Sequence, residues 1–144
     1  MAFRSSPWLL GALLLTSCSW FRPDEPDYGS VALPSGLVVR DLVVPAEGPE
    51  ARPGDSVGVH YELFLADGTS IETSRTTGTP LRFELGSGAV PRGLDEGIVG
   101  MRPFGRRRLT VPGTLAFGAE GRPPEIPPDA TVRFDVELME LERH

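Results

Sequence analysis

Two stretches of strict apolar alternation limit what this 144-residue chain can fold into. In residues 56–65, Val57, Val59, Tyr61, Leu63 and Leu65 hold every second position. In residues 131–138, Val132, Phe134, Val136 and Leu138 do the same. A period of two gives each strand one core face and one wet face, as in half-buried antiparallel sheets. Leu81, Phe83 and Leu85 alternate again, and residues 37–44 and 106–111 are β-rich. Asp67-Gly68 is a hairpin signal that returns the chain through Ile71. One segment breaks the pattern. Leu94, Ile98 and Met101 recur at i, i+4 and i+7, which predicts a short helix over 92–100 between Pro91 and Gly100. Residues 112–130 form a Gly- and Pro-rich connection longer than the roughly 12–15 residues beyond which loops are usually functional or disordered. Its apolar Leu115, Phe117 and Ile126 favour function. The expected fold is α+β: a twisted antiparallel sheet wrapped around one short helix.

Composition removes several chemistries. The chain has 17 Gly and 15 Pro, which suits short strands and turns better than a helical bundle. All 14 basic residues are Arg, and against 20 acids the net charge is −6. No basic face of the size nucleic acid needs is expected. A single Cys excludes an internal disulfide, and two His, one of them C-terminal, leave no credible metal cluster. A Ser-His-Asp device could draw only on His60, which reads as a sheet-surface residue. Gly86, Gly88 and Gly93 precede a short helix without a parallel crossover, which argues against a nucleotide loop. Arg106-Arg107-Arg108 reads as a solvated strand edge.

The first residues read as targeting. Arg4, a short apolar run from Trp8 to Leu15 and small residues behind it form a secretory signal over 1–17. The run is shorter than the roughly 20 apolar residues a membrane span needs. Cys18 is either an unpaired thiol near a cleavage site or a lipidated first residue. Leu15-Thr16-Ser17-Cys18 resembles the bacterial lipoprotein processing box, which favours lipidation. Residues 18–34, with Pro23, Pro26, Pro34 and three acids, are expected to be a flexible tether without secondary structure. Residues 35–144 form the folded domain, expected to be a monomer. Ser19 after the Cys resembles the pattern sent to an outer membrane, where one exists. The protein is therefore expected in the bacterial cell envelope, facing the periplasm or extracytoplasmic space.

The domain's motifs then become specific. Val59-His60-Tyr61, Asp67-Gly68, Phe83-Glu84-Leu85-Gly86, Arg92-Gly93-Leu94-Asp95-Glu96-Gly97, Phe117-Gly118-Ala119-Glu120-Gly121, Ile126-Pro127-Pro128 and Phe134-Asp135-Val136-Glu137-Leu138 stand in order. Together they resemble the FK506-binding-protein-type (FKBP) peptidyl-prolyl cis-trans isomerases over nearly the whole domain. The resemblance implies isomerisation of X-Pro bonds in extended or unfolded chains, without metal or cofactor, assisting folding in the envelope. The alternative it leaves open is a weak or inactive binding module using the same groove.

Carried over by position, the resemblance implies catalytic roles for Tyr61, Glu72 and Phe134. It implies substrate binding by Ile71, Leu81, Phe83, Val90, Pro91, Leu94, Phe117 and Ile126. Several positions depart from the family. Leu94 stands for a Trp floor, Ile71 and Leu81 for Phe walls, and Glu72 for Asp. Phe117 replaces a Tyr hydroxyl, and Pro91 replaces an Ile whose backbone N–H could meet a substrate carbonyl. A roomier, less orienting pocket is expected. Arg122 and Glu125, which replace bulkier or apolar family residues, are expected to tune which chains enter.

Overall fold

The computed structural model describes residues 29–143. The signal over 1–17, Cys18 and most of the 18–34 tether lie outside the described residues. In chain order the elements are β1 Ser30–Ala32, β2 Val38–Val43, β3 Ser56–Leu65, β4 Ser70–Thr73, β5 Leu81–Glu84, α1 Arg92–Ile98, β6 Arg106–Val111 and β7 Val132–Glu142. The strands pair antiparallel in one sheet of order β1-β2-β6-β7-β3-β4, with β5 also on β3. The α+β fold read from the alternation is the fold observed.

Two elements differ from the sequence reading. β1 falls inside the expected tether: Ser30, Val31 and Ala32 pair with Arg40, Val39 and Val38. Its three side chains are all exposed, so no hydropathy pattern marks it. The open edge of β2, with its unpaired backbone groups, supplies the reason for it to form. β7 also outlasts its alternation. The register steps from Val59↔Leu138 to Gly58↔Glu140, leaving Met139 as an extra residue. Beyond this bulge the parity is reset, and Leu141 packs against the core.

The helix sits where its stripe requires. Leu94, Ile98 and Met101 are buried with Val57, Val59, Leu63, Leu109 and Leu138 in one core. Its other contact is made by absence of side chain. A Cβ on Gly93 would lie 2.2 Å from Val111 Cγ1, and one on Gly97 would lie 2.5 Å from Leu109 Cδ1. α1 thus approaches β6 more closely than any larger residue allows. The helix stops at Ile98, before Gly100, whose φ of 93° and bond from its N–H to the Ala51 carbonyl at 2.8 Å turn the chain away. At the hairpin, Gly68 adopts φ 94° and Asp67 Oδ1 accepts the Thr69 N–H, as Asp-Gly predicts.

Candidate active site

The site begins at a break in the sheet edge. β5 pairs with Ser56 to Val59 of β3, and β4 pairs with Glu62 to Phe64, so neither strand covers His60 and Tyr61. The 3-10 turn Ser74–Thr76 fills the gap with side chains. Tyr61 N–H donates to Ser74 Oγ at 2.9 Å, and Thr73 Oγ1 donates to the Tyr61 carbonyl at 3.2 Å. Ser74 Oγ also lies 2.9 Å from His60 Nδ1. Backbone groups that a strand would satisfy are met by hydroxyls, as burial demands.

A bulge in β4 supplies the next two residues. Leu63 pairs with Glu72 and Phe64 with Ser70, which leaves Ile71 as the extra residue. Simple alternation would send Ile71 and Glu72 to opposite faces. The bulge turns both toward the core side, where Ile71 packs on the apolar cluster and Glu72 accepts the Tyr61 hydroxyl at 3.1 Å. The Tyr61 ring is tilted 58° to Phe134 at 6.1 Å between centroids, within the range of edge-to-face pairs.

The long loop closes the other side. Arg122 and Ile126 exchange backbone hydrogen bonds at 2.9 and 3.0 Å, and Asp129 N–H donates to the Gly118 carbonyl at 2.8 Å. Gly121 is required here: its φ is 64°, and a Cβ would lie 2.5 Å from the Ile126 carbonyl oxygen. The Arg122 guanidinium stacks over Phe117 at 5.1 Å and reaches Glu72, with Nη2 at 3.3 Å from Oε2. Both charged side chains are more than a third exposed, so the pair contributes at most about 1 kcal/mol. Phe134, Tyr61, Glu72, Arg122 and Phe117 thus form a connected line from core to loop. Burial pushes the Tyr61 hydroxyl above its ordinary pKa, and the neighbouring Glu72 carboxylate adds to this while Arg122 opposes it. Tyr61 therefore stays a proton donor across the neutral range.

The predicted residues divide by depth. Leu94, Ile126 and Phe134 are 2%, 0% and 2% exposed. Tyr61, Ile71, Leu81, Phe83, Val90 and Phe117 are half-buried and pack against that core. Pro91 caps α1, its carbonyl accepting the Leu94 and Asp95 N–H groups at 2.9 and 3.1 Å. Leu94, which stands where the family has a Trp, is buried in the core. The half-buried members of the set are its accessible apolar surface. Two concavities, of about 120 and 360 Å³, lie elsewhere, and of the predicted residues only Tyr61 borders either. Ser74 carries a role that sequence reading missed. No periodicity could have marked it, because its partner is a gap between two other strands.

Known proteins share this sequence pattern and fold. Residues 48–139 match the family model described as FKBP-type peptidyl-prolyl cis-trans isomerase. The chain is 42% identical over 106 residues to the FK506-binding protein of Neisseria meningitidis serogroup B, covering 74% of this chain and 96% of that one. It is 46% identical over 115 residues to FK506-binding protein 4 of Dictyostelium discoideum, covering 80% of this chain but 31% of that longer protein. The crystal structure of FkpA from Escherichia coli superimposes with a TM-score of 0.72 at 34% identity, covering 81% of this chain and 53% of that one. That of AtFKBP13 gives 0.71 at 35%, covering 78% and 98%. On its strands, its helix and the motifs gathered at this edge of the sheet, the chain belongs to the FKBP-type peptidyl-prolyl cis-trans isomerase family.

Proposed function

We propose that this chain accelerates cis-trans rotation about X-Pro bonds of extended or unfolded polypeptides, held by lipid on Cys18 to a bacterial envelope membrane and facing the periplasm or extracytoplasmic space. The observation that carries the catalytic part is the half-buried Tyr61 on the apolar core, with its hydroxyl donated to Glu72 and its ring against Phe134. Amide resonance opposes X-Pro rotation by about 18–20 kcal/mol. The planar amide is the more charge-separated form, so an apolar surface holding the prolyl ring favours the twisted state. Lowering the barrier by about 5 kcal/mol already accelerates rotation more than a thousandfold. Arg122 offsets the charge of Glu72 and thereby keeps this surface close to neutral.

A protease-coupled assay on proline peptides tests the reading. The rate should rise in proportion to protein concentration, and Phe134→Ala should lose most of it while the strand signal in circular dichroism persists. No acceleration by micromolar, folded protein would overturn catalysis. A second reading, a binding module for proline-containing chains, is favoured by Pro91, which has no N–H to offer. It predicts suppressed aggregation of an unfolded client without any change in isomerisation rate. The anchor is tested separately: the mature protein should carry the mass of a diacylglyceryl group, and Cys18→Ala should lose it together with membrane partition.

A further inference from the structure

Among the described residues, four of the five large apolar side chains left exposed gather at one end of the sheet. They are Val43, Val44, Val99 and Phe104; Val31 is the fifth. Val43 faces Arg106 in the β2–β6 register, and a Cβ on Gly105 would lie 3.3 Å from the Val43 carbonyl oxygen. Val43 and Val44 line the smaller concavity together with Gly100 and Met101, the residues that follow Val99. Phe104 is 64% exposed with φ 70°, a left-handed conformation that bulky residues avoid. Its turn is bonded to β7, Phe104 N–H to the Leu138 carbonyl at 2.6 Å and Leu138 N–H to the Gly105 carbonyl at 3.1 Å. The aromatic ring is thus displayed on a fixed support. Charge beside these side chains is paired, Arg102 with Glu50 and Arg107 with Asp41, and Arg106 lies opposite Glu137 in the β6–β7 register, although the whole chain is at −6.

The direction of the chain identifies an occupant. Ser30 lies opposite Arg40 and Ala32 opposite Val38, so the chain enters β1 from the Val43 end. Cys18 is eleven residues before Gly29, a separation of at most about 40 Å. We propose that the end bearing Phe104, Val43, Val44 and Val99 rests on a zwitterionic phospholipid bilayer, with Phe104 inserted at the interface. Apolar side chains on a neutral end gain by entering the headgroup boundary without needing anionic lipid. The inference rests on the lipid anchor at Cys18 but not on catalysis.

The test uses the full chain produced with its own N-terminus, reconstituted into phosphatidylcholine vesicles after mass spectrometry of Cys18. Nitroxide labels are placed by Phe104→Cys and, as a control at the opposite end, by Thr69→Cys. The ratio of oxygen to nickel-chelate accessibility should be several-fold higher at position 104 than at position 69. Lipid on Cys18 with equal, water-like ratios at both positions overturns the docking and leaves the anchor standing. If Cys18 carries no lipid, the labels are read in the Cys18→Ser background with vesicles added. A raised ratio at position 104 then supports the docking and removes the anchor, whereas water-like ratios remove both. Dipolar broadening between position-104 labels in the absence of vesicles would assign the patch to a second copy and overturn the proposal.

Discussion

At the scale of single residues, the site depends on contacts that a side-chain inventory does not contain. Tyr61→Phe removes the hydroxyl that donates to Glu72 and should cost about 0.5–1.5 kcal/mol of stability in urea unfolding. It should also lower kcat/KM several-fold in the peptide assay. Because burial and Glu72 raise the Tyr61 pKa above the ordinary value of about 10, its ionisation should cause no loss of activity between pH 6 and about 9. A pH-rate profile checks this, and an alkaline fall in that window that Tyr61→Phe abolishes would refute it. Arg122 and Glu72 make a second test. A double-mutant cycle on Arg122→Ala and Glu72→Ala should give a coupling of about 1 kcal/mol or less in low salt, shrinking in 1 M salt. The motifs placed Tyr61 and Phe134 correctly on inward faces, because alternation reports the face directly. They could not show that Arg122, fifty residues from Glu72, closes onto it.

At the scale of elements, departures from regularity position the site. Without the bulge at Ile71, β4 could present either Ile71 or Glu72 to the apolar face, not both. Bulges are invisible to a period-two reading, which simply loses its phase at them, as happened at Met139. The glycines of α1 set the other constraint. In an isolated helix Gly97→Ala would be favourable by roughly 1 kcal/mol. Here the added methyl meets Leu109, so the sign should reverse, with a net loss of about 1–3 kcal/mol from overpacking. Chemical denaturation of Gly97→Ala measures this, and an unchanged or raised midpoint would show that Leu109 moves aside freely. The helix itself was readable from its stripe, but its closeness to β6 was not.

At the scale of the whole molecule, one tie fastens the C-terminal end of the sheet to the segment before β3. Asp55 accepts the Arg52 N–H at 2.9 Å and two bonds from Arg143 at 3.2 Å. Arg143 first, and then the Arg52 amide, hold the Asp55 carboxyl below its usual pKa. The folded pKa is therefore below the unfolded one. The tie contributes fully above about pH 4 and is lost as pH falls through the folded value. Asp55→Asn should flatten that part of the acid dependence of stability, measured by urea unfolding at successive pH values. Taken over the chain, alternation and one helical stripe determined the long strands, the helix and the inward set that includes Val59, Leu94, Phe134 and Leu138, because burial of apolar faces is a property of local order. Only the tertiary structure decided that β1 joins the sheet, that Ser74 completes the edge at Tyr61, and that Arg122 reaches Glu72. It also decided that α1 packs on β6 through Gly93 and Gly97, where no side chain fits. Each depends on what lies across space rather than along the chain: an unpaired edge, a gap between two strands, a charge on a distant loop, and the volume left when side chains pack.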